Sequence, residues 1–492
     1  MFAIETGTAY DLGNYLTECG DMGTLVMKFG GLSVGTTTAL TQVLSIILHE
    51  HEKWDKLLIV VSALEGVTDN LIEATRQAQI SNQRGYRRIV ATLRTRHLAL
   101  IEQLPLGATE RQTIQADVDR LLFDMLDQLQ SLAAEPSDEL QQKTVDRMIG
   151  VGERLSARIV AAIIRQNNIR SVAIDTPGMI ITDSNYGNAL PDIAQSCDKI
   201  VADLLPLLDR EIVPVITGYI GSTPEGEITT LGRGGSDYTA SVVAICARAD
   251  EVWVWTDVDG MMTTDPRDVD NAQAIRVMSY AEVGEMAYFG ARVLHPRMVG
   301  PLQQAKIPLR IKNVFKPQQP GTLIFDTKPP KHPPPPKAVT MIQGVGLFAD
   351  YSGPLSEIAA QVNAVLVDVS GNDVEVMFTS QSSTRTFIGF IVPTSSGPGA
   401  SRNAVDRLRA ALVDDPTGWQ VGPVSIVTVI GHQINQMPGM MAQVLQQLGR
   451  VKLLDLSPGP SDCSLSIILQ PEDSYAAQVQ IHNYLLEANA DQ

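Results

Sequence analysis

From residue 24 onward, short apolar runs rich in β-branched residues alternate with longer amphipathic stretches. "TLVMKF", "KLLIVVSA", "SVAIDT", "EIVPVITGYIG" and "EVWVWTDVDG" have the length and composition of buried strands, whereas "TALTQVLSIILHEH" spaces its apolar residues as a helix does. This alternation predicts an α/β fold: a largely parallel sheet sandwiched by helices. Ligands of such sheets sit beyond the carboxyl ends of the strands. The glycine-rich and polar breaks discussed below all follow apolar runs, so they are expected along one edge.

The pattern changes at "KPQQPGTLIFDTKPPKHPPPPKA", residues 316–338, whose proline tract at 333–336 fits neither a helix nor a central strand and marks a domain boundary. Beyond it, "MIQGVGLFADYSGPLSEIAAQV" from Met341 and "VSIVTVIGHQINQMPGMMAQVLQQLG" from Val424 resemble each other. Each reads as a strand, a polar loop with a Gly-Pro or Pro-Gly step, and a helix. In the second, Met441, Val444, Leu445 and Leu448 fall at i, i+3, i+4 and i+7 and predict one apolar helix face. "VKLLDLSPG", "SDCSLSIIL" and "SYAAQVQIHNYLLE" then complete a strand, strand, helix order, so two small split βαβ units are expected. The expected division is an extension over 1–23, a first domain over 24–327, a linker over 328–338, and C-terminal units over 339–416 and 424–488.

A chain of 492 residues exceeds one hydrophobic core, consistent with several domains. Its composition, 44% hydrophobic and 19% charged, is that of an ordinary globular protein. The net charge of -17 disfavours nucleic acid or an anionic membrane as partner, and requires that any anionic substrate meet locally gathered cations. Cys19, Cys197, Cys246 and Cys463 stand far apart, without CxxC spacing, and read as isolated thiols in a reducing compartment. With neither an apolar span of membrane length nor a secretory leader, the expected location is the cytoplasm.

Three breaks carry candidate chemistry. In "KFGG", Gly30 and Gly31 either form an ordinary turn or let a phosphate approach backbone N–H groups beside the Lys28 ammonium. No GxxxxGK[ST] occurs, so this is not a Walker loop. "TTLGRGGSDYTA" crowds Arg233, Gly234, Gly235, Ser236 and Asp237 into a helix start, where Asp237 as a simple N-cap is the plainer alternative. "WTDVDGMMTTDPR" offers Asp257, Asp259, Asp265 and Arg267, as turns or as a nucleotide-contacting loop. It lacks EF-hand spacing. His49 and His51 have no third metal ligand nearby and read as a solvated helix end; His295 reads as packing or a local hydrogen bond. No metal site is predicted.

These stretches, with "VVSALEGVTDNL", "GERLSARIVAA" and "EMAYFGARVLHPR" in the same order, resemble the aspartate kinases of the amino acid kinase superfamily. The C-terminal units resemble ferredoxin-like βαββαβ ACT regulatory domains. The resemblance implies transfer of the γ-phosphoryl of ATP, with Mg²⁺, to the side-chain carboxylate of aspartate, opening lysine, threonine and methionine synthesis. It implies Lys28 and Asp237 as catalytic residues, with Gly30, Gly31, Gly234 and Gly235 against phosphate. It further implies Ser33, Thr68, Glu153, Tyr219, Arg233 and Ser236 around aspartate, and Thr256, Asp257, Asp265, Arg267 and Arg292 around ATP. Val367 and Asp368 would mark a site for an effector such as lysine or threonine. A homodimer or homotetramer joined through ACT domains is implied as well. Arg292 stands where the family usually has lysine, Met262 where an aromatic is frequent, and Leu32 in place of threonine. After Val367 and Asp368, Ser370, Gly371 and Asn372 replace the family's effector-site pattern.

Overall fold

The structure is a computed structural model that describes residues 23–134, 138–290, 294–326, 335–350, 356–370, 376–391, 399–459 and 461–490. The first domain is built on an eight-stranded sheet in the order β3-β4-β2-β1-β7-β9-β10-β8. Its strands are β1 (Thr24–Phe29), β2 (Lys56–Val61), β3 (Ser171–Ile174), β4 (Val213–Thr217), β7 (Glu251–Thr256), β8 (Val277–Ser279), β9 (Leu309–Asn313) and β10 (Thr322–Phe325). A separate hairpin pairs β5 (Ile220–Ser222) with β6 (Ile228–Thr230). All neighbours from β3 through β9 pair in parallel, and only β9 and β10 run antiparallel. The carboxyl ends of β1, β2, β4 and β7 therefore lie along one edge, as the sequence pattern predicts.

Strand alternation decides which residues face which layer. Leu25, Met27 and Phe29 of β1 enter one core with Trp253 and Trp255, while Val26 enters the opposite core with Val252 and Val254. Lys28 shares the parity of Val26. It therefore emerges on the face covered by helix Gly235–Cys246, whose Ala240, Val242 and Val243 belong to that second core. Nearly continuous burial of β1, β2 and β7 is what a sheet covered on both faces requires.

Beyond the linker, β11 (Ala338–Ala349), β12 (Val376–Gln381), β13 (Thr386–Ile391), β14 (Gln420–Ile430), β15 (Leu453–Pro458) and β16 (Ser464–Leu469) form one antiparallel sheet, ordered β12-β13-β11-β14-β16-β15. β11 and β14 pair along their length, from Ala338↔Ile430 to Phe348↔Gln420. The far half of β11 also pairs with β13, and the far half of β14 with β16. Accordingly, Val345 and Leu347 enter the core of the first unit, while Val339 of the same strand enters the core of the second.

Two expectations are corrected. Of the predicted face of helix Met440–Gln447, Val444 and Leu448 lie in the core and Leu445 packs against it partly buried, but Met441 is 37% exposed and Met440 takes its place. Met440 and Val444 are four residues apart, so they share a face as well as the predicted spacing does. Cys197 and Cys246, read as isolated thiols, form a disulfide between helices Ile193–Leu208 and Gly235–Cys246; Cys463 is a buried free thiol. The partners are 49 residues apart in sequence, so no local spacing could reveal them. Cys19 and the extension over 1–22 lie outside the described residues. Among the described residues, no helix is long and apolar enough to cross a membrane.

The two halves meet through buried polar contacts. Lys337, at the end of the linker, pairs with Glu282 at 2.9 Å. That carboxylate also accepts from the backbone N–H and hydroxyl of Ser279 and so completes a capping box. From helix Pro471–Ala490, Gln478 donates to Thr264 Oγ1 and His482 Nε2 lies 2.8 Å from Thr263 Oγ1. Lys337→Met leaves the fully buried Glu282 carboxylate without its cation and is expected to cost about 3–5 kcal/mol, read from urea unfolding. By the same measurement, Leu448→Ala should cost about 2–5 kcal/mol, whereas Met441→Gln should stay within about 0.5 kcal/mol of the parent.

Candidate active site

Lys28 ends β1 pointing toward the first turn of helix Gly235–Cys246, and its Nζ lies 2.5 Å from Asp237 Oδ1. Both side chains are only about one-eighth exposed, at 12% and 13%. Asp237 is not the N-cap, which corrects the plainer reading of the sequence. Gly234 holds that position in the left-handed region at φ 74, and Asp237 sits inside the first turn. A carboxylate there also meets the positive end of the helix dipole. Lys28 Nζ reaches over Gly30 as well, where an added Cβ would stand 3.7 Å from it.

The glycines answer to space as much as to backbone freedom. A side chain on Gly234 would be strained by its φ and would run into the His295 ring. A Cβ on Gly31 would meet the Ala63 carbonyl at 2.9 Å. The loop after β1 thus packs against the loop after β2, leaving a cleft edge of bare backbone beside the Lys28–Asp237 pair.

On the β2 and β4 side of that pair, helix Val151–Gln166 carries Glu153, which is 3% exposed. Its Oε1 accepts from the Ala63 N–H at 3.1 Å, and its buried Oε2 has no hydrogen-bond partner among the described residues. Burial pushes this carboxyl up to about 7. Tyr219 follows β4 in the left-handed region at φ 72, an unfavourable conformation for a tyrosine, and burial pushes its phenol up to about 12. Its ring lies beside Gly235, and its phenol feels the charges of Glu153 and Asp146. Ser236 is buried against Gly218, while Arg233 is exposed and makes no ion pair among the described residues. Thr68 is half-buried in the first turn of helix Val67–Gln79, which follows the loop after β2. Ser33 is buried, and its hydroxyl donates to the Trp255 carbonyl at 3.4 Å.

On the β7 side, Thr256, Asp257, Asp265 and Arg267 line a cavity of about 320 Å³, with Met262, Met286, and Thr340 and Met341 of β11. Asp265 and Arg267 pair at 2.5 Å, and the carboxylate raises the guanidinium further above its ordinary value. Arg292 lies outside the described residues. Val367 and Asp368 fall on helix Ser356–Ser370 in the C-terminal half.

Several supporting residues escaped the sequence reading. Asp146, buried, accepts the N–H groups of Gly187 and Thr230 and so fixes the strand before Arg233; burial raises its carboxyl. The stretch "DRMIGVGERL" around it carries three other charged residues, so nothing in the sequence set Asp146 apart. Arg297 donates to the Leu231 carbonyl and to Asn188 Oδ1, clamping the same loop. Asn313 donates to the Asp257 carbonyl and to Asp259, whose carboxyl Lys316 holds below the usual range. His295 caps helix Pro296–Ala305 by accepting from the Arg297 N–H at 3.4 Å, the local hydrogen bond expected of it.

Known proteins show the same arrangement of elements. The profile of the Amino acid kinase family matches residues 23–313. The lysine-sensitive aspartokinase 3 of Escherichia coli K12 is 29% identical over 470 residues, covering 94% of this chain and 99% of that protein. The chloroplastic bifunctional aspartokinase/homoserine dehydrogenase 2 of Arabidopsis thaliana is 28% identical over 472 residues, covering 93% of this chain and 50% of that one. The chain thus spans about half the length of the plant relatives it matches. The crystal structure of E. coli aspartokinase III with aspartate and ADP superposes with a TM-score of 0.74 at 26% identity, covering 94% of this chain and 100% of that one. With the profile extending over more than half of its sequence, the chain belongs to the amino acid kinase family.

Proposed function

We propose that this chain transfers the γ-phosphoryl of ATP to the β-carboxylate of L-aspartate, giving 4-phospho-L-aspartate at the entry to aspartate-family amino acid synthesis. The observation that carries the reading is the Lys28–Asp237 pair at an edge of bare backbone. The aspartokinase III complex with aspartate and ADP, similar over nearly the whole chain, supports the same acceptor and donor. An aspartyl carboxylate is already ionised at neutral pH, so the reaction needs no general base. The obstacle is the approach of an anion to a polyanion, and the remedy is fixed positive charge and N–H donors with in-line placement.

In this reading Lys28, oriented by Asp237, neutralises charge on the phosphoryl group in flight, and the amides around Gly30, Gly31, Gly234 and Gly235 add donors. Arg233 holds the α-carboxylate bidentately. The unbonded Glu153 Oε2 receives the α-ammonium. Thr68, Tyr219, Ser236 and Ser33 shape the acceptor pocket. Thr256, Asp257, Asp265, Arg267 and Arg292 hold the nucleotide. Among the described residues, no cluster of three His, Cys, Asp or Glu side chains could hold an ion unaided. A Mg²⁺ therefore fits as a companion of the ATP phosphates, supplemented by single carboxylates such as Asp237, and would supply further charge neutralisation. An amino acid effector such as lysine would bind near Val367 and Asp368, and copies of the chain would pair through the C-terminal sheet.

Coupled ADP-release assays with aspartate and Mg-ATP test the reading. Lys28→Ala should lower kcat about 10²–10³-fold; a variant as active as the parent overturns it. Arg233→Ala should raise the KM for aspartate about tenfold or more, with a smaller change for ATP. Because the ammonium needs an ionised Glu153, whose free-enzyme pKa is raised to about 7, affinity for aspartate should fall with acidity. Between pH 8 and 6 the KM should rise about tenfold in the parent, and Glu153→Gln should lose this dependence while binding aspartate weakly throughout.

A further inference from the structure

Back to back with the active site, on the other face of the same sheet, a second cavity of about 320 Å³ opens between helix Thr37–His51 and strands β7 and β9. Register explains its chemistry. Trp253 and Trp255 of β7 stand beside Arg310 and Lys312 of β9, all on the face opposite Val252, Val254, Leu309 and Ile311. The Lys312 ammonium lies 4.9 Å and 5.3 Å from the two indole ring centroids. It is 91% buried and has no carboxylate partner among the described residues, and burial lowers its pKa to about 8.

The neighbouring cations are already neutralised. Arg310 pairs with Glu251 at 2.8 Å, and Lys53 with Glu50 Oε1 at 3.1 Å. Glu50 lines the cavity and is 95% buried, yet its second oxygen, Oε2, accepts no hydrogen bond among the described residues. The cavity wall therefore combines a buried cation that has no carboxylate at ion-pair distance among the described residues with Glu50, a buried acid whose charge that cation feels through space. Lys312 out of water without a contacting anion is unfavourable, and so is a Glu50 carboxylate bonded at only one oxygen; a guest bearing both complements would relieve them. A cavity of this size accommodates a small molecule.

We propose that this cavity is a second binding site, taking a small amino carboxylate whose acid group pairs with Lys312 and whose ammonium reaches Glu50. An anion alone would satisfy only Lys312, and a bare amine only Glu50. The position is consequential. The Trp255 carbonyl accepts from Ser33, and Asn313, next to Lys312, holds the loop bearing Asp257 and Asp259. A guest here touches the back of β7, whose Trp255 carbonyl holds Ser33, and of β9, whose Asn313 holds the Asp257–Asp259 loop.

The test reads the site directly and needs neither nucleotide nor phosphoryl acceptor, so its outcome is separate from that of the proposed reaction. Two of the chain's four tryptophans line the cavity, and Trp54 lies edge-on to Trp253. Tryptophan emission of the full chain is titrated with glycine, 4-aminobutyrate and 5-aminopentanoate, and with succinate and 1,4-diaminobutane as single-sign controls. At least one amino carboxylate should give a saturable change at concentrations up to about 10 mM, with both controls weaker. Lys312→Met and Glu50→Gln should each weaken it about tenfold or more. Ser45→Tyr, on the exposed side of the helix, should abolish it by filling the mouth without altering charge. The proposal is overturned if the parent shows no saturable change, if succinate or the diamine binds as well, or if the folded variants, checked by circular dichroism, titrate like the parent.

Discussion

A lysine ammonium and an aspartate carboxylate held 2.5 Å apart, with nearly nine-tenths of each side chain out of water, need a framework that keeps them together when either could be better hydrated alone. Here the framework is a strand and a helix far apart in sequence. Lys28 is aimed by the alternation of β1, and Asp237 by the first turn of the helix over that face. The parallel sheet fixes their height, because β1, β2, β4 and β7 all end along the same edge. Placement of the loops that close the site follows from that meeting point: Gly31 against Ala63, Tyr219 against Gly235, His295 against Gly234.

The site is also asymmetric in how its charge is treated. Toward β7, charges are mutually satisfied: Asp265 with Arg267, and Asp259 with Lys316. Toward β2 and β4, Glu153 retains an unbonded oxygen and Arg233 has no ion pair among the described residues. A site prepared on one side and unsatisfied on the other suits a bulky polyanion that brings its own counter-charge beside a small zwitterion that does not.

How much of this could be read from the amino-acid order depended on the range of each interaction. Strand periodicity located β1, β2, β4 and β7, and the break following each apolar run placed Lys28, Arg233 and Asp237 on one edge. The order of several motifs carried the family. Interactions between distant segments were less visible. The Asp146 carboxylate gains its role only when the backbone of Gly187 and Thr230 folds onto it. Likewise, Cys197 meets Cys246 only across two packed helices. In the C-terminal half, Val444, Leu445 and Leu448 pack as their spacing implies, but at the first turn Met440 rather than Met441 turns inward. Both methionines fit a helical spacing to Val444, three and four residues away, so periodicity alone did not choose between them.

The pairing of β11 with β14 has a further consequence. Each long strand supplies one half to the first C-terminal unit and the other half to the second, so neither unit has a complete set of strands within its own continuous stretch of sequence. Excising either repeat would remove part of its sister's sheet. The duplicated segments are consequently interlocked as a single cooperative body, and tightening at one end of the shared ladder is transmitted through unbroken backbone to the other.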